Sequence, residues 1–183
     1  TGKAHDLTDA RVPVVVTRTT GELYELWKKR GYRARIVVNL GRYLHFVEVG
    51  TDQGFRTEWQ LPLHARPMVP SYEAQVSHLN FLWVAVEAGI AREVHHVLPP
   101  ATFLEKQPHI AREEEAFLES GEDYVLQYFG SLRLLTQHLQ NEREPVLLNI
   151  DASYFKTFDA KQVVAQLRAA RLQTDLVTLC RSE

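Results

Sequence analysis

Apolar residues along this chain follow two rhythms, short β-branched runs and longer stretches with apolar positions three or four apart, and the two alternate. The run "VPVVVT" (12–17), bounded by Pro13 and the Thr-Thr-Gly at 19–21, predicts a buried strand. In "TTGELYELWKKRG", Leu23, Leu26 and Trp27 share one helical face, with Thr20 as the expected N-cap and Gly31 as the stop. "RARIVVNL" (33–40) predicts a second strand, and two strands joined by a helix are expected to be parallel with a right-handed crossover.

The alternation returns in "AQVSHLNFLWVAVEAGI" (74–90), helix-like and ending near Gly89, and in the strand "REVHHVLP" (92–99). Residues 100–131 predict a helix followed by irregular structure, with the acidic run Glu113 to Glu115 as a solvated face. "LRLLT" (132–136) reads as a short or edge strand, and "PVLLNI" (145–150) as a central one, apolar throughout as strands covered on both faces are. In "DAKQVVAQLRAARL", Val163, Val164, Leu167, Ala170 and Arg171 follow helical spacing behind Asp159 as N-cap, and "DLVTLC" (175–180) is the last strand. With no repeats or low-complexity segments, the pattern predicts one α/β domain over residues 1–183, a three-layer α/β/α sandwich with a mostly parallel sheet. Ligands of such sheets bind beyond the carboxyl ends of the strands, and Asp151 stands at one such end.

Composition narrows the partners. A length of 183 residues suits a single core, and 45% apolar with 24% charged residues is ordinary globular usage. The net charge of -2, from 21 basic and 23 acidic side chains, supplies no field that draws nucleic acid or an anionic membrane. No apolar run nears the roughly 20 residues of a bilayer span, and the first residues lack a signal-peptide core, so a soluble cytoplasmic protein is expected. The lone Cys180 rules out an internal disulfide or a thiolate metal cluster and is expected to pack within its strand. A chain that starts without Met and stops just past a strand is expected to be a fragment or trimmed.

A carboxylate at the end of a buried strand is costly unless it meets a cation, a metal or several donors, which singles out Asp151. The competing role is a local cap, since Asp commonly ends strands by accepting backbone hydrogen bonds.

"PVLLNIDASYF" resembles the second metal-binding strand of the arginase-like superfamily, where an Asp-x-Asp pair follows an apolar strand and precedes aromatics. "VPVVVTRTTGELYELW" is similar to the opening of the subgroup that includes peptide arginases. "RIVVNLGRYLHFVEVG" is similar to the strand that ends in Asp-x-His-x-Asp in that family. "VSHLNFLWVAVEAGIAREVHHVLPP" resembles the next helix and strand, with Asn80 at a position usually polar, and "DLVTLCRSE" a strand ending in Arg-Ser. The resemblance implies an arginase-like fold and six oxygen and nitrogen ligands around two Mn²⁺ ions that activate a bridging water. Residue by residue, Asp-x-His-x-Asp falls on Gly41, Tyr43 and His45, the Asp-x-Asp pair on Asp151 and Ser153, and an earlier histidine at or beside Thr20. Two residues apart on an extended segment, Asp151 and Ser153 are expected to point the same way. Only Asp151 keeps a family ligand, with His45 as a residual nitrogen donor. Gly has no side chain, and Tyr and Ser are poor ligands at neutral pH.

Other chemistry has weaker carriers. His95 and His96 are adjacent on a strand and point to opposite faces, so a core or surface role is expected. His64, His78, His109 and His138 have no H-x-x-x-H partner, no serine sits in G-x-S-x-G, and "TTGELY" lacks a phosphate-loop lysine. Tyr24, Trp27, Phe81 and Trp83 are expected in the core. Tyr43, Phe46, Tyr154 and Phe155, with Arg42, His45 and Asp151, flank two converging strand ends and could line a pocket for a peptide or a small cationic group. The expected pocket set is therefore Gly41, Arg42, Tyr43, His45, Asn80, Asp151, Ser153 and Tyr154. The expectation is a binding or regulatory protein without a cofactor, paired with a peptide, a protein partner or an active relative. The alternative is a Mn²⁺-dependent hydrolase of C–N bonds, of the peptidyl-arginine to ornithine type, with missing ligands supplied by His5, Asp6 or a segment outside this chain.

Overall fold

The computed structural model describes residues 5–6, 12–43, 76, 80–120, 125–139 and 144–181. In chain order they form β1 (His5–Asp6), β2 (Val14–Thr17), α1 (Thr20–Lys29), β3 (Arg35–Leu40), α2 (Phe81–Glu87), β4 (Ala91–Val97), α3 (Pro100–Ser120) and β5 (Val125–Phe129). There follow α4 (Leu132–His138), β6 (Val146–Asp151), a 3₁₀ helix (Ala152–Lys156), α5 (Ala160–Ala170) and β7 (Gln173–Cys180).

Six strands form one parallel sheet in the order β2-β7-β6-β3-β4-β5, and the short β1 joins β7 antiparallel through His5 and Asp6. Alternate side chains divide between two apolar layers. On one face Val37, Val94, Leu147 and Leu176 pack with Leu23, Tyr24 and Trp27 of α1, residues Phe81 to Val86 of α2, and Ile110 of α3. On the other, Ile36, Val38, Leu148 and Ile150 pack with Leu132 and Leu135 of α4 and Val163 and Leu167 of α5. The domain is thus an α/β/α sandwich on a parallel sheet, and Tyr24, Trp27, Phe81 and Trp83 are buried in it. No described helix is long and apolar enough to cross a membrane.

Local signals set the helix ends. Thr19, not Thr20, caps α1, its side chain accepting from the Glu22 backbone N–H at 3.1 Å. Asp159 caps α5 as expected and forms a reciprocal capping box with Gln162. Gly31 and Gly89 follow α1 and α2 at φ of 71° and 68°, a left-handed conformation that favours glycine.

Two assignments change. "LRLLT" is helical, because Ser131 caps α4 by accepting from the Leu134 N–H, and Leu132, Leu135 and Leu139 bury one helical stripe. The residues 125–129, expected to be irregular, form β5, whose Leu126 and Tyr128 are buried on one face and whose backbone pairs with β4. The helix expected over 74–90 begins at Phe81, and of 74–79 only Val76 lies within the described residues.

Candidate functional site

The strands β3 and β6 lie side by side and parallel, with Leu40 opposite Ile150, so the next residues, Gly41 and Asp151, emerge together at the carboxyl edge of the sheet. Asp151 is wholly buried. Its Oδ1 accepts from the Ser153 N–H at 2.7 Å and caps the 3₁₀ helix, while Oδ2 is buried with no hydrogen-bond partner among the described residues. The cap and the free acceptor therefore coexist on one carboxylate. A buried charge left short of a partner is among the more expensive features a fold can hold.

The expectation that Ser153 extends the strand is overturned. The backbone coils into 3₁₀ geometry immediately after Asp151, so the two-residue spacing no longer aligns the side chains. Ser153 is nevertheless buried at the same edge, where its Oγ accepts from the Arg42 N–H at 3.1 Å and ties the segment after β3 to that after β6. Gly41 is buried beside them, while the side chains of Arg42 and Tyr43 are exposed. Asn80 is buried at the start of α2, a helix that runs back toward the amino end of β4.

Tyr154 belongs elsewhere. It packs on the opposite face with the α4 and α5 residues, its ring 5.1 Å from Phe158 and its hydroxyl 3.5 Å from Gln166 Oε1. Burial pushes its phenol up to about 12. His45 and Phe46 lie outside the described residues, and Phe155 is partly exposed after the 3₁₀ turn begins.

Below Asp151 runs a polar rank that a reading of 145–150 as apolar throughout overlooks. Thr178, Asn149, Asn39 and His96 are register partners on β7, β6, β3 and β4, and all are buried. The Thr178 hydroxyl donates to Asn149 Oδ1 at 2.9 Å, the Asn149 amide to Asn39 Oδ1 at 2.6 Å, and Asn39 Nδ2 lies 2.9 Å from His96 Nδ1. That direction makes Nδ1 an acceptor and puts the neutral ring's proton on Nε2. The signal was present in the sequence: "IVVNL" and "LLNI" each carry an asparagine just before the last apolar residue, in strands expected to be neighbours. By strand alternation, Asn149 and Asp151 share the face occupied by α1, α2 and α3.

His95 faces the other way, as adjacent strand positions require, with His138 and Phe129 rings 5.3 and 5.8 Å from its own. Cys180 is buried opposite Asp151 without a disulfide. Among the described residues no three His, Cys, Asp or Glu side chains gather into a metal-binding group. The Asp151 Oδ2 atom suits a single ligand oxygen, whereas Gly41 offers no side chain and Ser153 Oγ is engaged by Arg42. The edge can supply one carboxyl oxygen as acceptor from a buried, polar-floored position. No family model matches the chain, nor does any curated protein or solved structure.

Proposed function

We propose that this chain is a non-catalytic binding domain on an arginase-like framework, in which Asp151 receives a cationic group presented by a peptide or protein partner. The observation that carries this reading is the buried Oδ2 of Asp151, which has no hydrogen-bond partner among the described residues. An acceptor in that position is stabilised by a cation that enters with the ligand. The resemblance also requires the carboxyl ends of β3 and β6 to be parallel neighbours, and their pairing supports it. The absence of a side chain at Gly41 and of a carboxylate at Ser153 argues against a pair of Mn²⁺ ions. The proposed setting is the cytoplasm, and the partner is neither nucleic acid nor a membrane, in keeping with a net charge of -2.

The same oxygen favours one second reading, a Mn²⁺-dependent hydrolase of peptidyl arginine with His45 and Asp151 among its ligands. One experiment separates the two. Calorimetric titration with Mn²⁺ and with arginine-containing peptides is followed by mass spectrometry of the peptides. Binding of peptide, lost in Asp151→Asn, with no mass change supports the binding domain. Two equivalents of tightly held Mn²⁺ overturn the binding-domain reading, and peptides that lose urea establish the hydrolase.

A further inference from the structure

His95 is wholly buried between β4 and α4. Its Nε2 lies 3.2 Å from Glu93 Oε2, and because a carboxylate only accepts, the ring proton sits on Nε2 and the lone pair on Nδ1. That Nδ1 is buried with no hydrogen-bond partner among the described residues. Directly opposite in the sheet register, on β5, stands Gln127, whose Oε1 is a second buried acceptor without a partner. Two acceptors that lack a donor thus sit on paired positions of neighbouring strands. Adding one proton to His95 turns Nδ1 into a donor while Nε2–H stays on Glu93.

The groups around this ring explain why protonation is resisted. From its own strand Glu93 contributes a carboxylate whose other oxygen, Oε1, is held by Arg92 Nε at 3.1 Å. From β5 come Gln127 and Phe129, from β3 the register partner Val38, and from α4 the imidazole of His138, its ring centre 5.3 Å away edge-on. Burial holds the pKa of His95 below the ordinary histidine value, Glu93 works against that, and a charged His138 adds to it. His138 is the last residue of α4, a seven-residue helix that meets β4 through this contact. A short helix depends on packing rather than on its own propensity.

We propose that the His95–His138 contact is an acid-sensitive joint, at which charging of both rings pushes the last turn of α4 off the sheet. With His95 neutral the two rings pack edge to face. With both rings charged, two imidazolium ions stand with ring centres 5.3 Å apart, and the exposed partner, His138, is the one able to move away. This device stands apart from Asp151, on the opposite face of the sheet.

Amide hydrogen exchange of the full chain, read by NMR from pH 7.5 down to 5.0 alongside the histidine ring signals, tests it. The expected result, after correction for intrinsic exchange, is a loss of protection of tenfold or more at Leu135 and Leu139, tracking the titration of His95. The β4 amides keep theirs. In His138→Gln, which is on the surface and keeps the fold, the His95 titration persists but the α4 amides stay protected. Constant α4 protection through the His95 titration overturns the proposal, as does an equal loss in His138→Gln.

Discussion

The side-chain amide of Asn149 donates to Asn39 Oδ1 across 2.6 Å, joining the two central strands at residues that are also partners in the backbone register. Each asparagine is wholly buried and serves a second neighbour, Thr178 for Asn149 and His96 for Asn39. Truncating one member strands the others. Asn149→Ala is expected to cost about 2–4 kcal/mol in urea unfolding, from a small cavity plus unmet hydrogen bonds. A cycle of Asn39→Ala, Asn149→Ala and the double variant should show coupling of about 1–3 kcal/mol; additivity would mean the rank contributes nothing as a unit.

At the opposite, amino edge of the sheet, Arg35 donates to Asp175 Oδ2 at 2.8 Å and to the Pro145 carbonyl, while its guanidinium lies 5.2 Å from the Tyr32 ring centre. Asp175 is almost fully buried and its Oδ1 has no partner, so Arg35 is its only counter-charge among the described residues. Arg35→Ala should therefore lose about 3–5 kcal/mol, far more than an exposed ion pair would. Arg35→Met combined with Asp175→Leu should recover most of that loss in the same denaturant assay.

Asp151→Asn keeps the Oδ1 cap on the Ser153 N–H and removes a buried charge that has no partner on Oδ2. Thermal stability is expected to stay level or to rise by about 1 kcal/mol. A clear fall would show that the charge stabilises the free fold and would remove the reason to assign it to a ligand.

The pH profile has two separate limbs. His95 is depressed by burial, so the unfolded chain takes up its proton first, at the ordinary value of 6.5. Its contribution is full above that value and falls as pH drops below it. Tyr154, pushed up from 10.0 to about 12 by burial, acts in the other direction: stability from this group is full below pH 10 and declines as pH rises toward 12. Urea midpoints across the range check both limbs, and phenolate absorbance should find Tyr154 titrating late, with Tyr32 also raised by burial. In His95→Phe the acid limb should flatten.

Two glycines near α1 should respond oppositely. Gly31, at φ 71°, loses about 1 kcal/mol on replacement by Ala, since left-handed backbone is strained for a side chain. Gly21 lies within the helix, and an added Cβ would meet only ordinary contacts, Val76 O at 3.6 Å and Thr19 Oγ1 at 3.7 Å. Gly21→Ala is expected to gain about 0.5–1 kcal/mol.

The sequence by itself determined the alternation of elements, because each apolar period is a local record of which side of a strand or helix meets the core. Val146 to Ile150 announced a central strand, Asp159 with Gln162 a helix start, and Gly31 a stop, all through interactions within a few residues. It also pointed to Asp151, since a carboxylate that ends an apolar run is conspicuous before any contact is known. Two elements were illegible for a physical reason. The α4 stripe spans less than two turns beyond its cap, and β5 shows its character only once β4 pairs with it. What the tertiary structure alone decided was the company each polar residue keeps. Register set Asn39 against Asn149 and His96, and the coil after Asp151 turned Ser153 to the Arg42 N–H and sent Tyr154 to the opposite face. Those outcomes depend on strands far apart in the chain arriving side by side. No local pattern encodes that the second oxygen of Asp151 is left without a partner among the described residues.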